Sequence, residues 1–522
     1  MANKERGIVP KKIKGFRDID PKLNQLKQQI IVAAGEVYKS YGFEHWDTPV
    51  LEYADNLGKY MPDEDTVDKG VYSFKSPEEE PIIGKDFNEW RDDNGKAVME
   101  KPYLALRYDL TAPLARVYSE KLWDSLSAGQ LKEGKMPLFR RFQYGPVHRY
   151  EIKLAPGRFR EFWQLDFDTV GSKDIASDAE VAIILAEALE AIGLGRETFK
   201  IKANNRKFLK GFLHSLGIVK DIDEQNVLRI IDKFDKISLR NVEAELGKGR
   251  MDKSGASIKG LGIDPTIVSG ICGFLEQFED VEGKSRKEIL DNLRFIDNAV
   301  AQEGLDDMVK MDAIWEKLGF FDDRIVFDPT MVRGMAYYTG PIFEAVSLLS
   351  FIDEKGKERK IGSICGGGRY DDLVKNLLGL TVPATGGSIG VDRLAALMML
   401  TDQIPQKQDG PILIVYFDDD LMPLYQEIAQ KMRKAGLQSE VYYGDNRSLK
   451  KQLAYADAKN SPMAILIGSN EAEQGVATVR NLKLGNELSK TITDKKEWRA
   501  RVQKEVPMDE LIEYVLGIRG AE

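Results

Sequence analysis

Between Asn24 and Tyr41 the apolar residues Leu26, Ile30, Ala33, Val37 and Tyr41 recur at the spacing of an amphipathic helix, and Gly42 stops it. FEHWDTPVLEY then has strand character interrupted by Pro49. Proline cannot donate to a sheet ladder, so this strand belongs at an edge or an interface. The segment from Ser76 to Glu100 is polar and reads as an exposed loop or hairpin, after which YLALRYDL resumes strand character. FRRFQYGPVHRYEI and REFWQLDFDTVG are two strands joined by KLAPGRF, a long antiparallel hairpin with Pro156 and Gly157 at its tip. An amphipathic helix from about Asp174 to Leu194 leads to a short strand, FKIKANN. From about Asp221 to Leu318 the pattern is mostly helical with charged faces, and it reads as an inserted helical region. Strand signals return at RIVFDPTMV and PIFEAVSL, followed by the glycine cluster GSICGGGRYDDLV and by ATGGSIGVDRLAALMML, a strand running into an apolar helix. TDQIPQKQDG is a polar linker. Beyond it ILIVYF, SEVYY and MAILIG are buried-strand runs alternating with the helices LMPLYQEIAQKMRKAG and SLKKQLAYADAKN. That alternation predicts a small α/β domain with a mostly parallel sheet.

At 522 residues the chain is long enough for two to four domains of about 100–200 residues each. A net charge of −9 argues against a generally basic nucleic-acid binder, but contacts with phosphate need only a local basic patch. With two cysteines, Cys272 and Cys365, a disulfide framework and a cysteine-rich zinc site are excluded, and both are expected as small buried hydrophobes. There is no run of about 18 apolar residues, so no membrane span is expected, and MANKERGIVPKKIKGF has no apolar stretch of a secretion signal. A cytoplasmic location fits these features.

Three arginines stand in runs of glycine, aromatic and β-branched residues: Arg149 in GPVHRYE, Arg333 in VRGMAYYTGPIFE and Arg393 in GGSIGVDR. A guanidinium binds phosphate oxygens in a planar fork, so such residues suit phosphoryl or adenylyl chemistry. GxxxxGK[ST] is absent and CGGGRYDD does not follow GxGxxG, so ATP would be held on an antiparallel sheet by arginines, away from any helix N-terminus. The histidines His45, His148 and His214 are not obvious catalysts. Strand alternation points His148 to the sheet face opposite Arg149, where packing is its expected role.

VHRYE with GRFREFWQLDFD resembles motif 2 of the class II aminoacyl-tRNA synthetases. GGSIGVDRL resembles their motif 3, and FEHWDTPVLEY, with Pro49, their motif 1. RGMAYYTGPIFE and CGGGRYDDLV are similar to the two signature peptides of the histidyl-tRNA synthetase family, and RYDLTAPLARVY, RFREFWQLDFD, KKQLAYADAKNSPMAILIG and VATVRNLK also resemble that family. The resemblance covers nearly the whole chain and implies an α/β fold class: an α+β catalytic domain on an antiparallel sheet flanked by helices, with a helical insertion and a C-terminal α/β anticodon-binding domain. The corresponding boundaries are 1–400 for the catalytic domain with its insertion at about 221–318, 401–410 for the linker and 411–522 for the anticodon-binding domain.

By resemblance the chain activates histidine with ATP to histidyl-adenylate and esterifies the 3′ end of its tRNA. Carried over residue by residue, Arg149 holds the α-phosphate, Glu151 sits by the adenine amino group, Arg393 contacts the γ-phosphate side and Arg333 also reaches the α-phosphate. Mg²⁺ is implied through the ATP phosphates, with few protein ligands. Asp109, Thr111 and Gln164 match positions that take the histidine ammonium; Asp168 and Tyr337 match those that take its imidazole, and Tyr338 lines the same pocket. Lys450, Lys451, Arg480 and Lys483 are candidate tRNA contacts. A homodimer is implied, since motif 1 builds the dimer interface in class II enzymes. Two departures stand out: Ala336 replaces the usual aspartate of the first signature, and Ile152 follows Glu151 where an arginine is usual. The competing expectation is a catalytically inactive paralogue that regulates ATP phosphoribosyltransferase. Such paralogues tend to lose the motif arginines and lack the C-terminal domain, and this chain keeps both.

Overall fold

The computed structural model describes residues 10–54, 56, 70–78, 80–81, 99–100, 103–127, 136–150, 157–234, 236–252, 255–281, 283–332, 338–404, 409–492 and 494–520. The chain forms two compact units, Met1–Pro405 and Gln406–Glu522.

The first unit is built on an eight-stranded sheet. Its strands are β1 (Glu44–His45), β2 (Phe139–His148), β3 (Glu161–Val170), β4 (Phe199–Asn205), β5 (Ile325–Phe327), β6 (Pro341–Ser347), β7 (Ser363–Arg369) and β8 (Ala384–Gly390). They lie in the order β1-β2-β3-β8-β7-β6-β4-β5. All interior pairs are antiparallel, and only the outermost pairs, β1 with β2 and β4 with β5, are parallel. The expected fold class is the one observed.

Helices α1 (Pro21–Ser40) and α3 (Ala176–Ile192) cover one face of this sheet; α2 (Thr111–Ser127) follows Asp109, and α4 (Val391–Leu400) continues directly from β8. Strand alternation decides which side chains meet the helices. Leu165 and Phe167 of β3 and Phe142 of β2 point to the helical side, where the Tyr38 ring of α1 lies 4.7 Å from Phe167 and 5.8 Å from Phe142. Gln164, Asp166 and Asp168 therefore face the other way, as do Arg141 and Gln143.

The inserted region contains helices Asp221–Ile231, Leu239–Leu246, Pro265–Gln277, Arg286–Leu293 and Ala299–Lys317, and also a small hairpin of Gly249–Met251 with Ser257–Lys259. Trp315 Nε1 donates to the Ala179 carbonyl of α3 at 2.9 Å, so the core of the insertion runs without a break into the helical layer of the sheet.

Pro49 divides its segment more sharply than a single interrupted strand. Glu44–His45 joins the large sheet, whereas Leu51–Tyr53 pairs with Tyr103–Leu106 in a separate three-stranded sheet completed by Ser73–Lys75. Most of the polar segment 76–100 lies outside the described residues; Glu80–Pro81 pairs with Met99–Glu100.

In the second unit the three buried-strand runs form parallel neighbours, Ser439–Val441, Ile412–Ile414 and Met463–Leu466, and the helices Met422–Lys434 and Leu449–Ala458 fall on their sequence patterns. The sheet is mixed, not mostly parallel. Val476–Asn481 and Gln503–Pro507 add two antiparallel strands. Both carry charged residues at partly exposed positions, so neither gives the continuous apolar run that marked the other three.

Candidate active site

A cavity of about 470 Å³ opens on the sheet face away from α1 and α3. Asp109, Thr111, Arg149, Gln164, Asp168, Tyr338 and Arg393, separated by up to 284 positions in sequence, all line it. Its floor comes from neighbouring strands: Asp168 lies opposite Gly386, Asp166 opposite Ser388 and Gln164 opposite Gly390. Glycine is required at this floor. A Cβ on Gly386 would fall 2.5 Å from Asp168 Oδ1 and 2.3 Å from the Phe167 carbonyl oxygen, closer than any side chain could pack.

One end of the cavity is acidic. Asp168 is buried; its Oδ1 accepts a hydrogen bond from the Tyr370 hydroxyl, and Arg141 Nη2 lies 2.9 Å from Oδ2. Arg141, itself buried, also donates to the Leu110 carbonyl at 2.8 Å, which ties this carboxylate to the start of α2. Asp166 stands two residues earlier on the same face, and its Oδ1 is buried with no hydrogen-bond partner, as is Oε1 of Gln164. The Gln164 amide donates to Ser388 Oγ at 2.9 Å, which aims that orphaned oxygen away from the serine. Buried acceptors without donors are costly unless something supplies them. Burial, reinforced by the charge of Asp168, pushes the Asp166 carboxyl up to about 7 against the pull of Arg141. Burial likewise pushes Asp168 up to about 6, with Arg141 opposing. Asp109 spends Oδ1 on the backbone N–H groups of Thr111 and Ala112, at 3.1 and 3.0 Å, so it caps α2 as well as facing the cavity.

The other end is cationic. Arg149 extends just past β2, donates through Nε to the Tyr108 carbonyl at 3.1 Å, and lies 4.3 Å from the Tyr108 ring centre and 5.3 Å from that of Phe162. Arg393 donates through Nη2 to the Ile361 carbonyl at 2.7 Å. Arg158, Phe159 and Gly157, on the returning arm of the hairpin, complete this wall. His148 points to the opposite face, as strand alternation requires; it is buried beside Glu161, with Nε2 at 3.1 Å from Oε2, and stacks on Phe16.

Glu151, Arg333, Ala336 and Tyr337 lie outside the described residues. Tyr338, next to them, has its ring 6.4 Å from that of Tyr370, and Thr339 is held by a backbone bond to Arg369 and a side-chain bond to Asp371. In the second unit Lys450 and Lys451 are exposed on one helix. Arg480 sits 4.9 Å from the Trp498 ring centre and Lys483 is paired with Asp409 at 2.8 Å. These four belong to the second unit, whereas the residues lining the cavity belong to the first. Among the cavity residues that carried no separate assignment from the sequence are Asp166, Tyr370 and Ser388. With them goes Arg141, which orders Asp168 from beneath. Arg141 and Asp168 are cross-strand partners in the β2–β3 register, so counting outward from the hairpin tip would have brought them together.

The family model for histidyl-tRNA synthetase matches residues 98–394, and that for the anticodon binding domain matches 411–518. A histidine–tRNA ligase of Ruegeria sp. is 39% identical over 521 residues, covering 99% of this chain and 97% of the relative. A histidine–tRNA ligase of Paracoccus denitrificans is 39% identical over 510 residues, 97% of each chain. The crystal structure of histidyl-tRNA synthetase from Nostoc sp. superposes with a TM-score of 0.69 at 27% identity, covering 97% of this chain and 99% of that one. Across both units, therefore, the chain belongs to the histidyl-tRNA synthetase family.

Proposed function

We propose that this chain is a histidine–tRNA ligase, which joins histidine to ATP as histidyl-adenylate and transfers it to the 3′ end of tRNA(His). The observation that carries this reading is the polarity of one cavity, with buried, donor-hungry oxygens at one end and guanidiniums at the other. At the acidic end Asp168, with Tyr337 and Tyr338, would take the imidazole, while Asp109, Thr111 and Gln164 take the ammonium. A site built from buried polar partners rejects an apolar isostere strongly, because the isostere leaves those partners unpaired. At the cationic end Arg149 and Arg333 would hold the α-phosphate, Glu151 the adenine amino group and Arg393 the γ-phosphate side.

In the first step a carboxylate oxygen of histidine bonds to the α-phosphorus and the bond to the β-phosphate bridging oxygen breaks, releasing diphosphate. The carboxylate is already ionised near neutral pH, so this step needs no general base. Fixed guanidiniums stabilise the charge that grows on the equatorial oxygens. A terminal ribose hydroxyl of tRNA then displaces AMP from the adenylate. Mg²⁺ would enter on the ATP phosphates. Lys450, Lys451, Arg480 and Lys483 would meet the tRNA, and those that touch phosphate would weaken binding more as salt rises. We place the enzyme in the cytoplasm as a homodimer; among the described residues no helix is long and apolar enough to cross a membrane. The regulatory-paralogue reading is not favoured, because the match to ligases runs through the anticodon-binding domain. The test is ATP–pyrophosphate exchange with each standard amino acid. Exchange with histidine alone is expected; exchange driven by any other amino acid would overturn the assignment.

A further inference from the structure

Asp392, in the first turn of α4, is buried and gathers three donors from distant parts of the chain. Arg17 Nη2 lies 2.6 Å from its Oδ1. Lys27 Nζ lies 3.1 Å from Oδ1 and 3.2 Å from Oδ2, and the backbone N–H of Trp163 donates to Oδ2 at 2.6 Å. These groups belong to the segment before α1, to α1 itself and to β3. The Arg17 guanidinium also lies 3.2 Å from the centre of the Phe159 ring, which is part of the cavity wall. Beside it, the Arg160 backbone N–H donates to the Gly15 carbonyl at 2.9 Å and Arg160 Nη1 donates to the Lys14 carbonyl at 3.3 Å. The segment from Lys14 to Arg17 thus grips the returning arm of the hairpin and the start of α4 at once.

Both of those elements carry the cationic end of the cavity. Arg393 is the residue after Asp392. A Cβ on Gly157 would lie 3.3 Å from Arg393 Cγ, so the hairpin arm and this arginine are in direct reach of each other. Asp392 pairs with both cations, and Lys27 is only 4% exposed, so the start of α4 is pinned from two sides.

We propose that Arg17 is a positioning residue for the nucleotide: through Asp392 it fixes the start of α4 and so Arg393, and through Phe159 it fixes the facing wall. This rests on the reading of the arginine end as the ATP end. None of these contacts touches Asp168, which is held by Arg141 and Tyr370, so the consequence must divide by substrate.

The experiment compares wild type, R17Q and R17K by calorimetric titration with MgATP and by KM for each substrate in histidine-dependent exchange. R17Q is expected to bind MgATP about tenfold more weakly, with KM for ATP rising by the same factor and KM for histidine held within about twofold. R17K keeps the charge and should recover to within about threefold of wild type. Wild-type MgATP affinity in R17Q, or an equal rise in both KM values, overturns the proposal. If R17Q does not fold, D392N carries the same expectation, since it removes the charge that Arg17 pairs with and keeps the shape. A wild type that exchanges without histidine would sink the ligase reading, yet the MgATP comparison would still decide the role of Arg17.

Discussion

The two ends of the cavity are built on opposite principles. At the acidic end the side chains are fixed by protein, Asp168 by Arg141 and Tyr370 and the Gln164 amide by Ser388, while Asp166 Oδ1 and Gln164 Oε1 are buried without a donor. At the cationic end Arg149 and Arg393 are each anchored by a backbone carbonyl and, for Arg149, by aromatic rings. The first arrangement stores unpaired acceptors, which is how a site discriminates. The second holds guanidiniums in fixed positions, which is how a site stabilises a transition state. On the proposed assignment, selection and catalysis are separated along one cavity, and each can be disturbed with the other left standing.

The largest disturbance should come from Arg149→Ala. If Arg149 holds the reacting phosphate as proposed, loss of this preorganised cation is expected to lower kcat for exchange by about 10²- to 10³-fold. KM for histidine should stay near wild type. A variant with normal kcat and weakened histidine binding would break the separation of the two ends.

Asp168→Asn comes next. The amide keeps the volume but leaves Arg141 facing a neutral group and offers a donor where the imidazole N–H must donate. A fall in kcat/KM for histidine of about 10²-fold is expected, with MgATP affinity unchanged. If MgATP binding fell in parallel, the acidic end would be a structural support for the whole cavity and not a selector.

The acidic end should also respond to pH in a definite direction. Burial pushes the Asp166 carboxyl up to about 7 and that of Asp168 up to about 6, both above the ordinary value near 4. The folded state then binds more protons than the unfolded state between about pH 4 and 7, so these two groups lower stability as pH rises through that window. A ligand donating N–H groups favours the ionised carboxyls, so histidine binding at about pH 6.5 should release protons. Calorimetry in two buffers of different ionisation enthalpy reads this directly, and D166N should reduce the release. Proton uptake on binding would reverse the assignment of these carboxyls as acceptors.

Much of this was legible in the sequence, for uneven reasons. The hairpin and the strand-to-helix junction before Arg393 show because their periodicity is local and their punctuation, Pro156, Gly157 and the glycines from Gly386 to Gly390, is strong. Arg149, Gln164 and Asp168 came with the motif resemblance. Arg141 and Asp166 did not, because adjacent charged residues on a strand point to opposite faces and only the pairing of strands says which face matters: Arg140 turns to Glu180 of α3, and Arg141 to Asp168. Tyr370 reaches Asp168 across 202 positions, a contact no spacing rule contains. Asp392 is similar, since its partners Arg17 and Lys27 lie more than 360 positions away.

Tyr370→Phe is the smallest of these changes and the sharpest on the comparison, because it removes one hydroxyl and leaves the ring beside Tyr338. Asp168 loses a donor to Oδ1 and keeps Arg141 at Oδ2. A single hydrogen bond to a charged group is worth about 1.5–3 kcal/mol, but the incoming imidazole can occupy part of the vacated acceptor capacity. KM for histidine should therefore rise by about three- to tenfold with kcat nearly constant. The hydroxyl favours the ionised carboxyl, so its loss should move the midpoint of the histidine-binding pH profile upward. An unchanged midpoint would mean that Arg141 alone sets the charge of Asp168, and that Tyr370 contributes only its ring to the wall.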